Sequence, residues 1–553
     1  MSPLKRGVST MNLYSPGLRK RVAIGAALTM IVSLAQLAPT NAASKANNLV
    51  IAISEKDAGW CLQDSPGNEQ ILAKNQVSET LMTTNDKGKT VPYLASKVEN
   101  SADFKTWKFT LREGIYFHDG EELTAATVLT NVAGNLGLNP LVPASLPAIA
   151  WQDALGGVTS LAQFAAKVQA VSKYVVQFNL PAPRPLFPEI WGARSTLWST
   201  KTLQTKQCGQ TLGYGTGPFM IQSKGTDQFK TVLVANPKYW RKDSAGKPLP
   251  KAKTLTFLTI IEGSQRRNAL LKGQADLATF GATAGNLLNQ MKKDDGIELF
   301  EGPRDVTWSF HMNSAVAPFN SKNARLAFSY ALDREALAKV VAKGNAEAAY
   351  CFGATYHPYN LSAGGKKKCA PSDLAKAKQY ADAYKTETGK QLAVVLPTTE
   401  SQESIKYNQA VCNMVIKAGA TCSLMPPVTA TAYILRGFAL QQQVSNFNVV
   451  FGYSSSFADL FSRKTNLELS GFRFTNPGLA ACFQTAVETN AKAKYQECVG
   501  VLHGDAYWIP AYNEGPFLAS REELVFSEGL LPSNGKRRPI DARFDFSTIT
   551  VNG

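Results

Sequence analysis

Four histidines, His118, His311, His357 and His503, are the only imidazoles in the chain, and imidazole is the usual general base near neutral pH. None belongs to an HExxH zinc pattern, and the sequence has no GxSxG elbow, P-loop or Gly-rich dinucleotide fingerprint. Ser533 and Lys536 have the S-x-x-K spacing of a lysine-activated serine, but Pro532, Asn534 and Gly535 make that segment a loop. Cys351 and His357 could join a metal site, yet one such pair defines no coordination geometry. The residues that could do chemistry therefore assemble no catalytic constellation, and neither a metal nor another cofactor is expected.

The eight cysteines, at 61, 208, 351, 369, 412, 422, 482 and 498, contain no CxxC pair. An even number in an oxidising compartment points to disulfides. Eight cysteines allow 105 pairings. Nearness in sequence favours Cys351 with Cys369, Cys412 with Cys422 and Cys482 with Cys498, which leaves Cys61 with Cys208.

That compartment is written at the N-terminus. Arg19-Lys20-Arg21 precedes an apolar run from Val22 to Leu37, and small residues follow through Ala43, the pattern of a cleaved secretory signal over residues 1–43. The run is shorter than the roughly 20 residues of a membrane span. The first cysteine is Cys61, too late for a lipoprotein signal, so the expectation is an exported periplasmic or envelope protein without a lipid anchor. Met11 serves equally well as the start.

The 553 residues carry 59 basic and 42 acidic side chains. Five of the bases lie in the leader, which has no acid; without them 54 remain against 42, a surplus of 12. The dense clusters Lys366-Lys367-Lys368 and Lys536-Arg537-Arg538 sit in Gly-containing loops, so the surplus describes a mildly cationic surface and nucleic acid is not an expected partner. At 44% hydrophobic content the chain is too apolar for disorder and too long for one core, so two or three domains are expected.

Trp107 to Leu111 alternates at period two, Arg112-Glu113-Gly114 turns and Ile115 to Phe117 runs back, predicting a hairpin followed by a helix from Thr124. Thr254 to Ile261 predicts a strand feeding a helix capped by Ser264 and ended at Gly273. Leu326, Ala327, Tyr330 and Ala331 recur at helical spacing, and Asp333 caps a second helix ending near Gly344. Gln391 to Leu396, Ser404 to Ala418 and Thr421 to Met425 read as a β-α-β crossover. A buried strand, Phe447 to Phe451, leads into the irregular Gly452 to Ser456, and ligands bind at such carboxyl ends in open α/β sheets.

LASKVENSADFKTWKFTLREGIYFHDGEELTAATV, Leu94 to Val128, resembles the signature of the family 5 extracytoplasmic solute-binding proteins, the oligopeptide, dipeptide and nickel binders of ABC importers. Further matches follow in order: Gly215 to Phe219 (GTGPF), Asn236 to Trp240 (NPKYW), Arg267 to Asp276 (RNALLKGQAD), Arg325 to Glu335 (RLAFSYALDRE) and Trp508 to Asn513 (WIPAYN). Ala126-Thr127 departs from the acids common there. The resemblance implies an α/β class II periplasmic-binding fold with two lobes, three domains and a ligand cleft between the lobes. The implied parts are a core domain over 44–78 and 205–310, a domain inserted at 79–204, a second lobe over 311–515 and a return over 516–553. Cys61 and Cys208 would then clasp the N-terminal segment to the core. His118, beside Asp119-Gly120, reads as a turn residue.

The resemblance also implies where solute would lie. Peptide binders of the family anchor the α-ammonium with an Asp in a segment that corresponds here to Tyr453-Ser454-Ser455-Ser456-Phe457-Ala458-Asp459, with Ser456 at the first acidic position and Asp459 at the later one. A hydroxyl there forgoes a charge-assisted bond of about 1.5 to 3 kcal/mol. Trp60 and Tyr453 are expected as aromatic walls, Tyr512 and Asn513 as polar contacts near the crossing between lobes, and His357 and Tyr359 as further loop contacts; packing against the core is the alternative for Trp60. The implied activity is capture of a small solute, a peptide first, by a monomer that closes and delivers it to ABC permease subunits. Alternatives are an oligosaccharide, another small polar solute or a nickel chelate, and outside that class a secreted hydrolase or an envelope adhesion protein.

Overall fold

The computed structural model describes residues 47–551, except 57–58, 61–67, 85–89, 142–147, 192–194, 205–212, 225–228, 303, 305, 352–368, 370, 439–440, 451–476 and 527–544. Its largest sheet has seven strands, in the order 297–301, 517–521, 277–280, 48–53, 254–259, 230–235 and 219–224. Asn48–Ile53 lies at its centre and pairs in parallel with Thr254–Thr259 and Leu277–Phe280, whereas the outer pairings are antiparallel. The centre is β-branched and aliphatic because both its faces are covered. Phe517–Arg521 joins it from the far end of the sequence.

Thr254–Thr259 stops two residues before the sequence pattern does. The carbonyls of Ile260 and Ile261 turn away from the ladder to accept from the Arg266 guanidinium, each at 2.7 Å. The following helix is Gly263–Leu271, with Glu262 rather than Ser264 at the cap. Gly273 follows it at φ 64°, the left-handed conformation expected of a terminating glycine.

A four-stranded antiparallel sheet, ordered 95–100, 106–111, 175–179 and 168–172, has a core of its own built on Phe109, Trp151, Phe178, Phe187 and Trp191. Here the predicted hairpin is corrected. Thr106–Leu111 pairs with Ala95–Asn100 and Val175–Asn179, while Ile115 to Phe117 forms only an isolated bridge, Tyr116 to Glu122. Partners from elsewhere in the chain satisfy the strand's amides, so the local return is not needed. The helix does start after Thr124, as Ala125–Asn135. Thr127 occupies the capping-box position, its hydroxyl accepting from the Thr124 amide at 3.0 Å.

A third sheet orders 347–348, 508–514, 306–312 and 444–450, all antiparallel. Its last strand begins three residues earlier than its apolar pattern suggests and is not part of an open parallel sheet. The crossover is present as Ala393–Leu396, the helix Gln402–Lys417 and Thr421–Leu424 in parallel register. Helix Lys322–Ala331 precedes Asp333, whose carboxylate caps the next turn through the Ala336 amide at 2.9 Å. Disulfides join Cys351–Cys369, Cys412–Cys422 and Cys482–Cys498, with Cα separations of 5.3, 5.2 and 5.6 Å. Cys61 and Cys208 lie outside the described residues. No helix among the described residues is long and apolar enough to cross a membrane.

Candidate functional site

The chain passes between the seven-stranded sheet and the third sheet twice, from Ile297–Glu301 to Val306–Met312 and from Trp508–Glu514 to Phe517–Arg521. The two passages are tied together: the Gly302 amide donates to the Pro516 carbonyl at 2.8 Å. Short paired connections between separately built sheets are a natural hinge.

Glu514 ends the strand that enters this crossing and is only 6% exposed. Its carboxylate accepts the Ala282 amide at 2.7 Å, from the turn after Leu277–Phe280, and also the indole N–H of Trp308 from the third sheet. Burial pushes the carboxyl up to about 7, although both donors oppose that shift. Trp308 stacks on Tyr512 with ring centroids 6.1 Å apart, and Tyr407 of helix Gln402–Lys417 meets Tyr512 edge-on at 5.7 Å. One residue before Glu514, the Asn513 amide oxygen accepts from Thr307 Oγ1 at 2.6 Å.

At the carboxyl ends of the parallel strands, Glu69 accepts from the Ser54 hydroxyl at 2.7 Å and the Glu55 amide at 3.0 Å, and also from Thr279. Arg266, 6% exposed, donates to the carbonyls of Thr279, Ile260 and Ile261 and lies over the Phe280 ring at 5.1 Å. Burial lowers its pKa, while Glu69, Glu403 and Glu262 pull the other way. Glu403, in the first turn of the crossover helix, brings Oε1 to 3.1 Å from the point a Cβ would occupy at Gly263. At this edge the carbonyls are held by Arg266 and the Glu69 carboxylate by the Ser54 and Thr279 hydroxyls.

The model of the bacterial extracellular solute-binding proteins, family 5 Middle, matches residues 89–468, more than half of the sequence. The chain is a family 5 solute-binding protein. It is 28% identical to the probable D,D-dipeptide-binding periplasmic protein DdpA of Escherichia coli K12 over 272 residues, 48% of each chain. It is 26% identical to the glutathione-binding protein GsiB of Salmonella paratyphi A over 465 residues, 78% of this chain and 82% of that one. Several of the curated relatives are matched over about half their length. The fold is that of the periplasmic binding protein DppA of Helicobacter pylori, solved with the peptide STSA: TM-score 0.77 at 18% identity, covering 91% of this chain and 98% of that one.

Within this family 5 protein the residues expected at the solute divide into two groups. Trp60 is 3% exposed and packs in the core of the seven-stranded sheet with Leu49, Ile51 and Trp198. Tyr512 and Asn513 lie on the strand that leads into the crossing, and at 2% and 6% exposure they are bound up with Trp308 and Thr307. Tyr453, Ser454, Ser455, Ser456, Asp459, His357 and Tyr359 lie outside the described residues. His118 is buried, its ring nitrogen 3.0 Å from the Gly217 carbonyl, and burial pushes it down to about 4, in keeping with a structural turn.

Sequence reasoning passed over the buried acids. Glu79, 4% exposed, accepts from Tyr93 at 2.7 Å, Thr216 and Tyr239 at 2.8 Å and Trp240 at 3.0 Å. It thereby joins the GTGPF and NPKYW motifs, and Gly215 and Gly217 lack a Cβ because one would sit 2.1 and 2.6 Å from the Val77 and Gln76 carbonyls. For Glu514 a signal existed: an acid closing the otherwise apolar and aromatic WIPAYN run.

Proposed function

We propose that this protein is the extracytoplasmic solute-capturing subunit of an ABC importer, with oligopeptides as its first substrate class. The carrying observation is the paired crossing at Gly302 and Pro516, where the chain passes twice between two sheets, in a chain of the family 5 fold. The relatives, a probable D,D-dipeptide binder and a glutathione binder, favour a peptide-like solute. In this reading residues 1–43 are a cleaved export signal, 79–204 an inserted domain, 44–78 with 205–310 and 516–553 the first lobe, and 311–515 the second. The third sheet and the crossover helix belong to the second lobe. Capture involves no bond cleavage. Solute touching both lobes stabilises the closed form in proportion to its differential affinity for that form, and permease subunits receive the closed protein.

Tyr453 to Ser456 with Asp459 supply the solute contacts of the second lobe in this reading. Ser456, where the peptide pattern has an acid, favours an uncharged polar solute such as an oligosaccharide as the second reading. Titration calorimetry against di- to pentapeptides and oligosaccharides separates the two. Peptide affinity that rises roughly tenfold or more in Ser456→Asp, for free but not acetylated N-termini, supports the first. Saturable binding of oligosaccharides alone replaces it with the second, and turnover of the bound solute overturns both.

A further inference from the structure

The crossing holds a carboxylate with no charged partner. Glu514 is more than nine-tenths buried, and its acceptors are engaged by one N–H from each side of the hinge, the Ala282 amide and the Trp308 indole. Among the described residues no lysine, arginine or histidine pairs with it. Tyr512 on its own strand and Tyr407 on helix Gln402–Lys417 are the ionisable groups that face it, and burial keeps both phenols protonated. The turn after Leu277–Phe280 presents Gly281, Ala282, Thr283 and Ala284, none of them ionisable. Of the cations on neighbouring segments, Arg304 bonds to Glu301 and the Gly344 carbonyl, and Arg334 donates from Nε and Nη1 to the carbonyls of Pro510, Ser329 and Leu332.

We infer that Glu514 is a proton-sensitive strut across the hinge, which makes closure of the two lobes easier in acid than at neutral pH and above. The inference rests on the two-lobed reading given above but not on the identity of the solute. When the lobes part, the Ala282 bond breaks and the carboxyl meets water. When they close, the carboxyl is desolvated beside two neutral donors, and a bare negative charge there is costly. Desolvation outweighs the two hydrogen bonds, since the arrangement with both bonds formed holds the group at about 7 against an ordinary 4.5. The closed form therefore takes up a proton between those values. Its advantage is complete below about 4.5, declines as pH rises toward 7 and stays constant above. The full difference in the closed-to-open ratio is on the order of a hundredfold.

Small-angle scattering of the full mature chain without added solute, at pH 5 and at pH 8.5, tests this. The wild-type radius of gyration is expected to rise with pH, and Glu514→Gln, the isostere of the protonated acid, is expected to hold the acid value at both. An equal rise in wild type and Glu514→Gln, or no rise in wild type, overturns the inference. Trp308→Phe provides a second arm, should the glutamine variant fold poorly: losing the indole donor moves the wild-type transition to higher pH, and an unmoved midpoint overturns the strut. A wild type that closes on a peptide with no pH dependence discards the strut and keeps the proposed function. A pH-dependent radius without any bound peptide keeps the strut and leaves the solute to be replaced.

Discussion

Glu79 and Glu514 are both carboxylates hidden from water, and they have opposite surroundings. Glu79 collects four donors from three stretches of one neighbourhood, whereas Glu514 has two donors from opposite sides of a hinge. Burial raises both acids, and at each the hydrogen bonds work against it. The number and origin of the donors separate a knot from a strut. Four donors on one acid fix the Tyr93, Thr216 and Tyr239-Trp240 segments together, and Arg241, paired with Asp545 at 2.7 Å, extends the knot to the C-terminal segment. A bond between parts that move can be fewer and weaker and still govern which arrangement is populated.

Removing each acid should expose that difference. Glu79→Ala takes the acceptor from four donors, two of them buried, and is expected to cost about 3 to 5 kcal/mol, read as a lowered urea midpoint. A loss below about 1 kcal/mol would erase the distinction. Glu514→Gln should behave oppositely. Because the native carboxyl is raised to about 7 from 4.5, its stabilising contribution is full below 4.5 and lost as pH rises through 7. The glutamine variant is thus expected to gain on wild type between pH 5 and pH 8 by up to about 3 kcal/mol, in paired urea titrations at the two pH values. The smallest effect is Tyr93→Phe, which takes one donor of four from Glu79 and should cost about 1 kcal/mol in the same urea titration.

Features written over short spans were legible beforehand. The crossover, the Thr124 and Asp333 caps and three disulfides separated by 10 to 18 residues depend on neighbours close in sequence. Thr106–Leu111 was recognisable as a strand from its alternation, but its partner Val175–Asn179 was not, because alternation reports burial of a face and says nothing of which edge is met. Trp60 shows the same limit at the candidate site. An aromatic in a loop after a strand can line a cleft or fill a core, and only the packing of Trp198 and Leu49 around it distinguishes these. Tyr512 and Asn513 lie on the strand that leads into the crossing, and the acid beside them went unnoticed.

The sequence alone settled the family, through motifs running in order from Leu94 to Asn513, and with it the fold and the absence of any familiar catalytic pattern. Each such motif is local and keeps its meaning when read as text. The tertiary structure decided what the buried charges do. Glu514 and Ala282 are 232 positions apart, and Glu79 and Trp240 are 161 apart. The energy of an acid depends on the water and donors within a few ångströms of it, a neighbourhood the order of residues does not specify.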